Sequence, residues 1–516
     1  MEWISLHRAQ FIRKRPTKAL QDPAEIRARR NGPYPSGPIL SNDPTPRHDS
    51  VGCGIRLPMK SRRLNLAFLY SVILACATLT PAQNLAPTPP MGWNSWDAYG
   101  FTIDEAEFKA NATALAGLRQ YGWNYAVIDE GWYMENPLGA DLAERKYLLD
   151  ANGILIPVAN RFPSSAGGAG FKPLADWLHA QGLKFGFHII RGIPRQAVKD
   201  NLPIAGSSYR ASEAADTGDL CPWDEGNYGI KDNEAGQAYY DSMLKLYAGW
   251  GLDFIKVDCI SDHPYRPSEI RQIAAAIRKT GRAIVLSLSP GPTQIEHAAE
   301  VAKYAQMWRV SNDHWDGWTF QRKPGDGEWP FGLRDEFDRL AKWAPYAQPG
   351  AWPDADMLPL GWLGPHPGND VTRQSRLTLD EERTEVTLWA MARSPLIYGG
   401  NLTKLDDFTR SLLSNREAID IDQNAVASGE AATYPEDPLR PRYWWAKTGG
   451  AHPKRYLAVF NLKDAPQDID VPWSYFHLAD KNHAVYDVWN EKRIPSAKTL
   501  KAGTIPAHGC ALFRVE

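Results

Sequence analysis

The chain of 516 residues is long enough to bury a large core and to form two domains. Its 58 basic and 60 acidic residues give a net charge of -2, which excludes the strong global field that a protein uses to bind nucleic acid or an anionic membrane. The 20 Trp and 21 Tyr residues exceed what a core needs, and aromatic rings with a polar edge suit hydroxyl-rich ligands such as sugars.

The first 82 residues are predicted to lie outside the mature fold. Residues 1–58 are rich in Arg and Pro, lack amphipathic periodicity, and are interpreted as a mispredicted or disordered leader. Residues 59–82 have the form of a secretion signal, with a basic start at Met59, a short apolar run and a cleavage site after Ala82. The run is too short to span a membrane, so we expect an exported chain without a transmembrane segment. Lipidation at Cys76 is the alternative route of export.

From position 83 to position 410, apolar β-type runs alternate with amphipathic stretches. The predicted strands are 91–93, 125–128, 184–188, 254–257, 283–287, 306–310, 351–354 and 395–398. Helical stretches between them include 105–121, 171–181, 237–249 and 267–280. This alternation predicts a (β/α)8 barrel. A doubly wound sheet is the alternative, but no glycine-rich phosphate-binding turn follows the first strand.

The sequence changes in character from position 411 to position 516. Short β-prone runs separated by turn residues occur at 443–446, 456–461, 484–489 and 511–515. They predict a small C-terminal antiparallel β-sandwich domain. No catalytic grouping is recognisable there, so we expect this domain to pack against the barrel.

Polar residues recur at the carboxyl ends of the predicted strands, where barrel enzymes place their active sites. Lys256 and Asp258 stand two apart on the fourth strand and therefore face the same way. Beside the lysine, the aspartate would remain ionised and nucleophilic. A single charged residue at a strand end would be an ordinary capped turn. Polar residues at the ends of most strands of a barrel predict an active site. The other strand-end candidates are Trp96, Asp129, Glu130, His188, Arg191, Ser287, Ser289, Arg309, Asp313, Asp354 and Asp356.

Several motifs at or near the predicted strand ends are specific enough to compare with a known family. They are 90–96 (PMGWNSW), 126–132 (AVIDEGW), 254–258 (FIKVD), 308–313 (WRVSND), 349–358 (PGAWPDADML) and 389–396 (WAMARSPL). In sequence and in order they resemble glycoside hydrolase family 27, the α-galactosidase and α-N-acetylgalactosaminidase group. The resemblance runs from position 89 to the C-terminus. It implies a retaining exo-glycosidase that needs no metal or organic cofactor and acts on a terminal glycoside.

The resemblance also implies the two catalytic carboxyl groups. Asp258 takes the position of the nucleophile and Asp313 that of the general acid/base. Retention requires the two groups to lie roughly 5 to 5.5 Å apart, with the nucleophile ionised and the acid protonated near neutral pH. Asp316 is the competitor for the role of the acid, and its alternative role is that of a hydrogen-bonded loop carboxylate.

The substrate-binding residues follow from the same resemblance. Trp96 is expected to be the aromatic floor beneath the sugar. Lys256 and Arg309 are expected to hold the ring hydroxyls and the nucleophile, and Asp129 and Glu130 to bind hydroxyls at the far edge. His188, Ser289 and Asp356 complete the predicted set; for His188 and Arg191, substrate contact and scaffold remain equal alternatives.

Departures from the family pattern leave the sugar open. Removal of terminal α-D-galactosyl residues is the leading expectation. Glu130 replaces an aspartate and would reach into the space of a C6 hydroxymethyl group, which favours β-L-arabinopyranose, a sugar that lacks this group. Ser289 is small and would leave room for an N-acetyl group, which favours α-N-acetylgalactosamine. A catalytically silent sugar-binding protein is the alternative of another class, although both catalytic carboxylates are present.

Three cysteines follow the predicted signal peptide: Cys221, Cys259 and Cys510. Export permits a disulfide between Cys221 and Cys259 if both lie on loops at one end of the barrel. Cys259 directly follows the predicted nucleophile, whereas family members place their cysteine one residue later. No spacing of cysteines and histidines resembles a metal site.

Overall fold

The structure is a computed structural model that describes residues 85–137, 145–322, 330–364, 371–431 and 438–516. Parallel strands form its centre. They are β1 (Met91–Asn94), β2 (Tyr125–Ile128), β3 (Lys184–Ile190), β4 (Phe254–Asp258), β5 (Val285–Leu288), β6 (Met307–Arg309), β7 (Trp352–Asp354) and β8 (Leu396–Tyr398). Their order is β7-β6-β5-β4-β3-β2-β1-β8, with neighbouring strands parallel. The eight predicted strands are confirmed, with ends shifted by at most two residues.

The segment after β7 closes the ring of strands. The backbone N–H of Leu358 donates to the carbonyl of Ile397 at 2.8 Å, and Leu358 forms a parallel bridge with Tyr398. β1, the neighbour of β8 in the ring, also pairs with β2. The two strands lie so close at Gly92 that a Cβ atom there would overlap with the backbone of Tyr125. The (β/α)8 barrel predicted from the alternation of strands and helices is confirmed.

A helix follows each strand of the barrel. These helices are α1 (Glu105–Ala116), α2 (Lys172–Ala180), α3 (Glu234–Gly249), α4 (Pro267–Thr280), α5 (Ala298–Tyr304), α6 (Leu333–Trp343), α7 (Leu379–Ala392) and α8 (Asp407–Leu413). Shorter helices occupy Trp96–Tyr99, Arg195–Lys199 and Ala211–Ala214. The shortest ones lie in the connections that follow β1 and β3, so these connections carry structure of their own.

Local sequence signals fix the helix ends. Asp104 accepts the backbone N–H of Glu107, and the Glu107 side chain accepts the backbone N–H of Asp104, which forms a capping box at the start of α1. Helix α4 begins at Pro267, whose fixed φ suits a first helical position, and is followed by Gly281 with φ of 69°. These signals explain why the predicted range 267–280 has the observed bounds.

The C-terminal part is an antiparallel sandwich preceded by helix α9 (Arg416–Asn424). Its strands are β9 (Ala425–Glu430), β10 (Arg442–Thr448), β11 (Arg455–Phe460), β12 (Gln467–Pro472), β13 (His483–Asp487), β14 (Lys492–Ala497), β15 (Thr499–Ile505) and β16 (Cys510–Val515). One sheet has the order β9-β10-β11-β16-β13-β14, and β12 pairs with β15 in the other. The predicted antiparallel domain is confirmed. The predicted boundary at position 411 lies within α8, and the first sandwich strand begins at Ala425.

Apolar side chains form two cores in this C-terminal part. Leu457 and Val471 belong to a core between the two sheets. Trp444 and Leu512 are instead buried in the cluster that extends from the barrel. The sandwich therefore packs against the barrel through a buried apolar face.

The connection between β3 and α3 forms a small antiparallel sheet from Ile193–Pro194, Ala215–Leu220 and Asn227–Ile230. Cys221, at the end of its second strand, is joined by a disulfide to Cys259, with their Cα atoms 5.9 Å apart. This bond ties the connection to the residue that directly follows β4.

The predicted leader, the signal peptide and the lipidation site at Cys76 lie outside the described residues. Within the described ranges, no helix is both long and apolar enough to cross a membrane.

Candidate active site

A pocket of about 430 Å³ lies at the carboxyl ends of the barrel strands. It is lined by Trp96, Asp97, Asp129, Glu130, Lys256, Asp258, Ser289, Pro290, Arg309, Asp313, His314, Trp315, Asp356 and Met357. Every residue predicted to act in catalysis or substrate binding, His188 excepted, is in this lining. The side chains come from β4 and β6 or from the segments that follow β1, β2, β5, β6 and β7, so the closed ring of strands brings distant parts of the chain to one place.

Asp258 ends β4 and presents a partly buried carboxylate to the pocket, with 18% of its side chain exposed. Its Oδ1 accepts the backbone N–H of Cys259 at 2.5 Å, and its Oδ2 lies 3.4 Å from Nε2 of His188. Burial raises the pKa of Asp258, but the hydrogen bond and charge of His188, the charge of Lys256 and the Cys259 N–H together lower it below the usual aspartate value. The carboxylate is therefore ionised at neutral pH.

His188 and Arg191 lie behind this carboxylate and do not line the pocket. His188 is 1% exposed and contacts Asp258, not the pocket space. The Arg191 guanidinium is also buried and donates to the carbonyl of Cys259 at 2.6 Å and to the carboxylates of Asp219 and Glu269. Of the two alternatives left open by the sequence, the geometry of both residues is that of a scaffold.

Lys256 contacts Asp129 and not the neighbouring Asp258. Its Nζ donates to Oδ2 of Asp129 at 2.8 Å, and Nδ2 of Asn94 donates to the same oxygen at 2.7 Å. Burial would raise the pKa of Asp129, but the charges of Lys256 and His188 lower it well below the usual range. Asp129 is thus an ionised carboxylate fixed from two sides.

Glu130 differs from its neighbour Asp129 in the direction of its pKa shift. It is 7% exposed, and burial together with the negative charge of Asp224 raises its pKa well above the ordinary value, although Arg145 opposes this. The pocket therefore holds Asp129, whose pKa is lowered, beside Glu130, whose pKa is raised.

Arg309 connects the acid/base candidate to the strand-end carboxylates. Its Nη2 lies 2.6 Å from Oδ2 of Asp356 and 3.4 Å from Oδ1 of Asp313. Burial and the nearby carboxylates raise the pKa of Asp356 to about 6 even though Arg309 lowers it. Asp313 has 47% of its side chain exposed and faces the open pocket, where a leaving group can reach it.

The competing acid, Asp316, is placed differently. It is 1% exposed, forms an ion pair with Arg373 and accepts the backbone N–H of Arg376 at 2.8 Å. It does not line the pocket. This is the geometry of a hydrogen-bonded loop carboxylate.

Some pocket residues have no counterpart in the sequence-based set: Asp97, Pro290, His314, Trp315 and Met357. Each of them except Trp315 directly follows a predicted residue, so adjacency was the available signal. His314 is fully buried, and burial lowers its pKa to about 4, so that it is neutral. Its backbone N–H donates to Oδ2 of Asp356 at 3.0 Å, which fixes the residue next to Asp313.

A second cavity of about 350 Å³ lies in the barrel interior and shares five lining residues with the pocket: Lys256, Ser289, Arg309, Asp356 and Met357. The strand-end residues Ser287 and Asp354 line this inner cavity and not the pocket itself. Within the described ranges, no group of three or more His, Cys, Asp or Glu residues has a metal-binding arrangement.

Comparisons with known proteins agree with this fold and site. Residues 223–424 match the family model described as alpha galactosidase A, and residues 441–515 match that of the alpha galactosidase C-terminal beta sandwich domain. The chain is 27% identical to an alpha-galactosidase A of Cellvibrio japonicus, covering 89% of this chain and 99% of that protein.

Solved structures include relatives of higher identity. A family 27 β-L-arabinopyranosidase from Geobacillus stearothermophilus is 39% identical, with a TM-score of 0.77, and the match covers 84% of this chain and 97% of that one. A putative α-N-acetylgalactosaminidase from Bacillus halodurans is 36% identical, with a TM-score of 0.71 and coverage of 83% and 97%.

The protein is a glycoside hydrolase. This follows from its (β/α)8 barrel with carboxylates at the strand ends, its C-terminal sandwich and these relatives. The chain belongs to glycoside hydrolase family 27.

Proposed function

We propose that the protein is a retaining exo-glycosidase in which Asp258 is the nucleophile and Asp313 the general acid/base. The observation that carries the proposal is that an ionised carboxylate held by His188 and Cys259 lines the same pocket as the more exposed carboxyl group of Asp313. The pocket lies at the carboxyl ends of the barrel strands, a position that suits a terminal sugar.

The reaction proceeds in two displacements. Asp258 attacks the anomeric carbon while the glycosidic C–O bond breaks, and Asp313 gives its proton to the departing oxygen. A glycosyl ester on Asp258 results. Asp313, now ionised, then takes a proton from water, the water oxygen attacks the anomeric carbon, and the ester bond breaks. The sugar leaves with its original anomeric configuration, and both carboxyl groups return to their starting states.

For the sugar, we favour β-L-arabinopyranoside over α-D-galactoside. The two share the ring hydroxyl pattern and differ in the C6 hydroxymethyl group. Glu130 is one methylene longer than aspartate, is buried and lines the pocket, so that it takes up space which the C6 group of a galactoside would need. The arabinopyranosidase from Geobacillus stearothermophilus, at 39% identity, supports the same choice.

Hydrolysis of α-D-galactosides, the leading expectation from the sequence, is the second candidate. It is supported by relatives named alpha-galactosidase, such as that of Coffea arabica at 28% identity over 439 residues. The α-N-acetylgalactosaminidase alternative has its support in the small Ser289 in the pocket wall and in the Bacillus halodurans relative.

A panel of p-nitrophenyl glycosides tests the proposal. The β-L-arabinopyranoside is expected to have the highest kcat/KM, the α-D-galactoside a lower one and the α-N-acetylgalactosaminide the lowest. Proton NMR of the first product formed should show the anomeric configuration of the substrate. An inverted first product would contradict the double displacement, and a higher kcat/KM for the galactoside would reverse the order of the two candidates.

Export remains part of the proposal. Residues 59–82 have the composition of a signal peptide, and the Cys221–Cys259 disulfide suits an oxidising compartment. N-terminal sequencing of the protein from the culture medium or periplasm is expected to begin at Gln83. A chain retained in the cytosol with residues 1–58 intact would contradict export.

A further inference from the structure

His314, the residue directly after the proposed acid/base, lies in a buried polar cluster that the proposed reaction does not use. Its Nε2 lies 3.1 Å from Oε1 of Glu385, a residue of α7. Its Nδ1 lies 3.7 Å from Oε1 of Glu336, a residue of α6. The side chains of all three residues are 0% exposed. A buried polar group costs free energy unless it is hydrogen-bonded, so the contact between Glu385 and His314 stabilises both partners.

Helix α7 contacts the loop of the acid/base through two residues on one face. Glu385 and Trp389 are four positions apart on the helix and therefore face the same way. The Trp389 ring packs on the His314 imidazole with ring centres 5.1 Å apart, and its Nε1 donates to the backbone carbonyl of Asp356 at 3.0 Å. One face of a buried helix thus holds both His314 and Asp356.

Asp356 connects His314 to the carboxyl group of the acid/base. Its Oδ2 accepts the backbone N–H of His314 at 3.0 Å and lies 2.6 Å from Nη2 of Arg309. The same Nη2 lies 3.4 Å from Oδ1 of Asp313. Asp313 and His314 are thereby joined twice, by the peptide bond between them and by the contacts through Asp356 and Arg309. Because these contacts form a closed circuit, the position of His314 constrains that of the Asp313 carboxyl group.

Backbone hydrogen bonds hold the two neighbours of His314. The carbonyl of Asp313 accepts the N–H of Phe331 at 3.0 Å, and the N–H of Trp315 donates to the carbonyl of Phe331 at 3.0 Å. His314 itself forms a parallel bridge with Phe331. The main-chain pairing and the buried imidazole therefore hold the same three residues, the first of which is the acid/base.

The electrostatics of the cluster suit a supporting role. Burial lowers the pKa of His314 to about 4 and raises the pKa values of Glu336 and Glu385 well above the ordinary value. All three groups are thus shifted toward their uncharged forms. Uncharged partners can hold the imidazole by a hydrogen bond without adding a full charge beside the acid/base.

We propose that Glu385 and His314 are positioning residues for acid catalysis: their hydrogen bond holds the segment 313–315 so that the Asp313 carboxyl group can protonate the departing oxygen. This inference rests on the proposed function. Neither residue has to touch the substrate, because Glu385 acts on the imidazole, and the imidazole acts on Asp313 through the main chain and through Asp356. Without the hydrogen bond, the imidazole is free to turn and the acid/base loses its support.

Glu385→Met tests this role, since it removes the hydrogen bond and roughly retains the volume of the side chain. kcat/KM is compared for the phenyl and the 2,4-dinitrophenyl glycoside of the sugar that the substrate panel finds to be hydrolysed faster. A displaced acid slows only the reaction that needs protonation. kcat/KM is therefore expected to fall about 10- to 100-fold for the phenyl glycoside and less than about threefold for the dinitrophenyl glycoside.

Two further variants refine the test of the hydrogen bond. His314→Phe keeps a ring beside Trp389 and removes both nitrogen atoms, so it should show the same dependence on the leaving group. Glu385→Gln keeps the shape of the side chain, and its amide can hydrogen-bond to the imidazole. It should therefore retain the wild-type ratio of the two kcat/KM values.

Glu382→Met is the matched control. It removes another buried carboxyl group of α7, one that contacts the hydroxyl of Thr409 at 3.4 Å and not His314. It should lower the melting temperature and leave the ratio of the two kcat/KM values unchanged. A double variant separates positioning from a general structural effect. In an Asp313→Ala background, Glu385→Met should cause no further fall with the phenyl glycoside, because no acid remains to be positioned.

An Asp313→Ala enzyme without any dependence on the leaving group would contradict the proposed function. If Asp313→Ala shows the dependence, but Glu385→Met and His314→Phe lower kcat/KM equally for both glycosides or for neither, the positioning role alone is overturned. A further fall in the double variant would overturn it as well. If Glu385→Met does not fold, as judged by circular dichroism, His314→Phe decides the question with the same two substrates.

Discussion

Lys256 on β4 donates to Asp129 at the end of β2 at 2.8 Å, although Asp258 is two residues away from it on the same strand. The register explains this arrangement. β3 lies between β2 and β4, and its His188 pairs with Lys256 and contacts Asp258. The histidine thus holds the nucleophile, and the lysine is free to reach the carboxylate at the end of β2.

Lys256→Met is expected to destabilise the protein, because it leaves the buried carboxylate of Asp129 without its cation. Breaking one partner of a buried ion pair costs about 3–5 kcal/mol, and the partly open pocket places this pair toward the lower figure. The double variant Lys256→Met/Asp129→Asn should recover part of the loss. Urea unfolding followed by circular dichroism measures all three free energies.

The pH dependence of that loss has a defined sign. The pKa of Asp129 in the folded protein is lower than in the unfolded chain, so its ionisation stabilises the fold above the unfolded value of about 3.9. This contribution is lost as pH falls. The difference between wild type and Lys256→Met is therefore fully present near pH 7 and shrinks as the pH falls from about 4 toward about 2. An equal difference at pH 7 and at about pH 2 would contradict the assignment to Asp129.

The barrel could be predicted because its strands are short buried runs and because alternation with helices is a pattern of the whole chain. The strand-end side chains could be predicted because a barrel gathers them at one face. The contacts among them could not. Whether Lys256 turns to Asp129 or to Asp258 depends on the register of three strands, which no local pattern encodes.

Contacts between loop residues, such as Asp224 and Tyr147, could not be predicted from the sequence either. Both lie on connections without strong periodicity, and Asp224 resembles any loop aspartate in the sequence. Only the folded connection after β3, with its small sheet and its disulfide, brings Asp224 within hydrogen-bond distance of the Tyr147 hydroxyl. The sequence left substrate contact and scaffold as equal alternatives for His188 and Arg191. Deciding between them required knowing whether their side chains line the pocket or lie behind its wall.

Asp258→Asn is expected to lower kcat by at least about 10³-fold, because the amide cannot form the glycosyl ester. Binding of the free sugar should change little, since the amide has nearly the same shape. Stopped-assay kinetics and equilibrium binding measure the two effects. A 2-deoxy-2-fluoro glycoside should add its glycosyl mass to the wild-type protein but not to the variant. Retained turnover in Asp258→Asn would remove this residue from the mechanism.

Asp313→Ala is expected to slow hydrolysis by about 10²- to 10⁴-fold for substrates with poor leaving groups, because general acid catalysis supplies factors of that size. A dinitrophenyl glycoside needs little protonation, so its first step should be nearly unaffected, and azide should restore turnover by replacing activated water.

Asp316→Asn is the control for this variant. Its carboxylate pairs with Arg373 away from the pocket, so the change should lower the melting temperature without altering the dependence on the leaving group. A leaving-group dependence in Asp316→Asn, and none in Asp313→Ala, would exchange the roles of the two aspartates.

His188→Phe is expected to move the acid limb of the kcat/KM profile to higher pH. Burial raises the pKa of Asp258 and His188 lowers it, so removing the imidazole leaves burial less opposed. Because the nucleophile must be ionised, a raised pKa means that activity is lost at a higher pH as the solution is acidified. His188→Gln retains a donor and should show a smaller shift. An unmoved acid limb in His188→Phe would show that the histidine does not control the ionisation of Asp258.

The disulfide connects stability to the nucleophile. It closes a loop across 38 positions, and removing such a bond typically costs about 2–4 kcal/mol. The Cys221→Ser/Cys259→Ser variant is therefore expected to unfold at a lower temperature, and reductant should lower the melting temperature of the wild type but not of the variant. Since Cys259 donates its N–H to Asp258, kcat of the double variant should also fall.

Cys510→Ser, at the free cysteine of the described residues, is the control and should retain the melting temperature and kcat of the wild type. A full kcat in the double variant would mean that Arg191 alone fixes the backbone after the nucleophile through the carbonyl of Cys259.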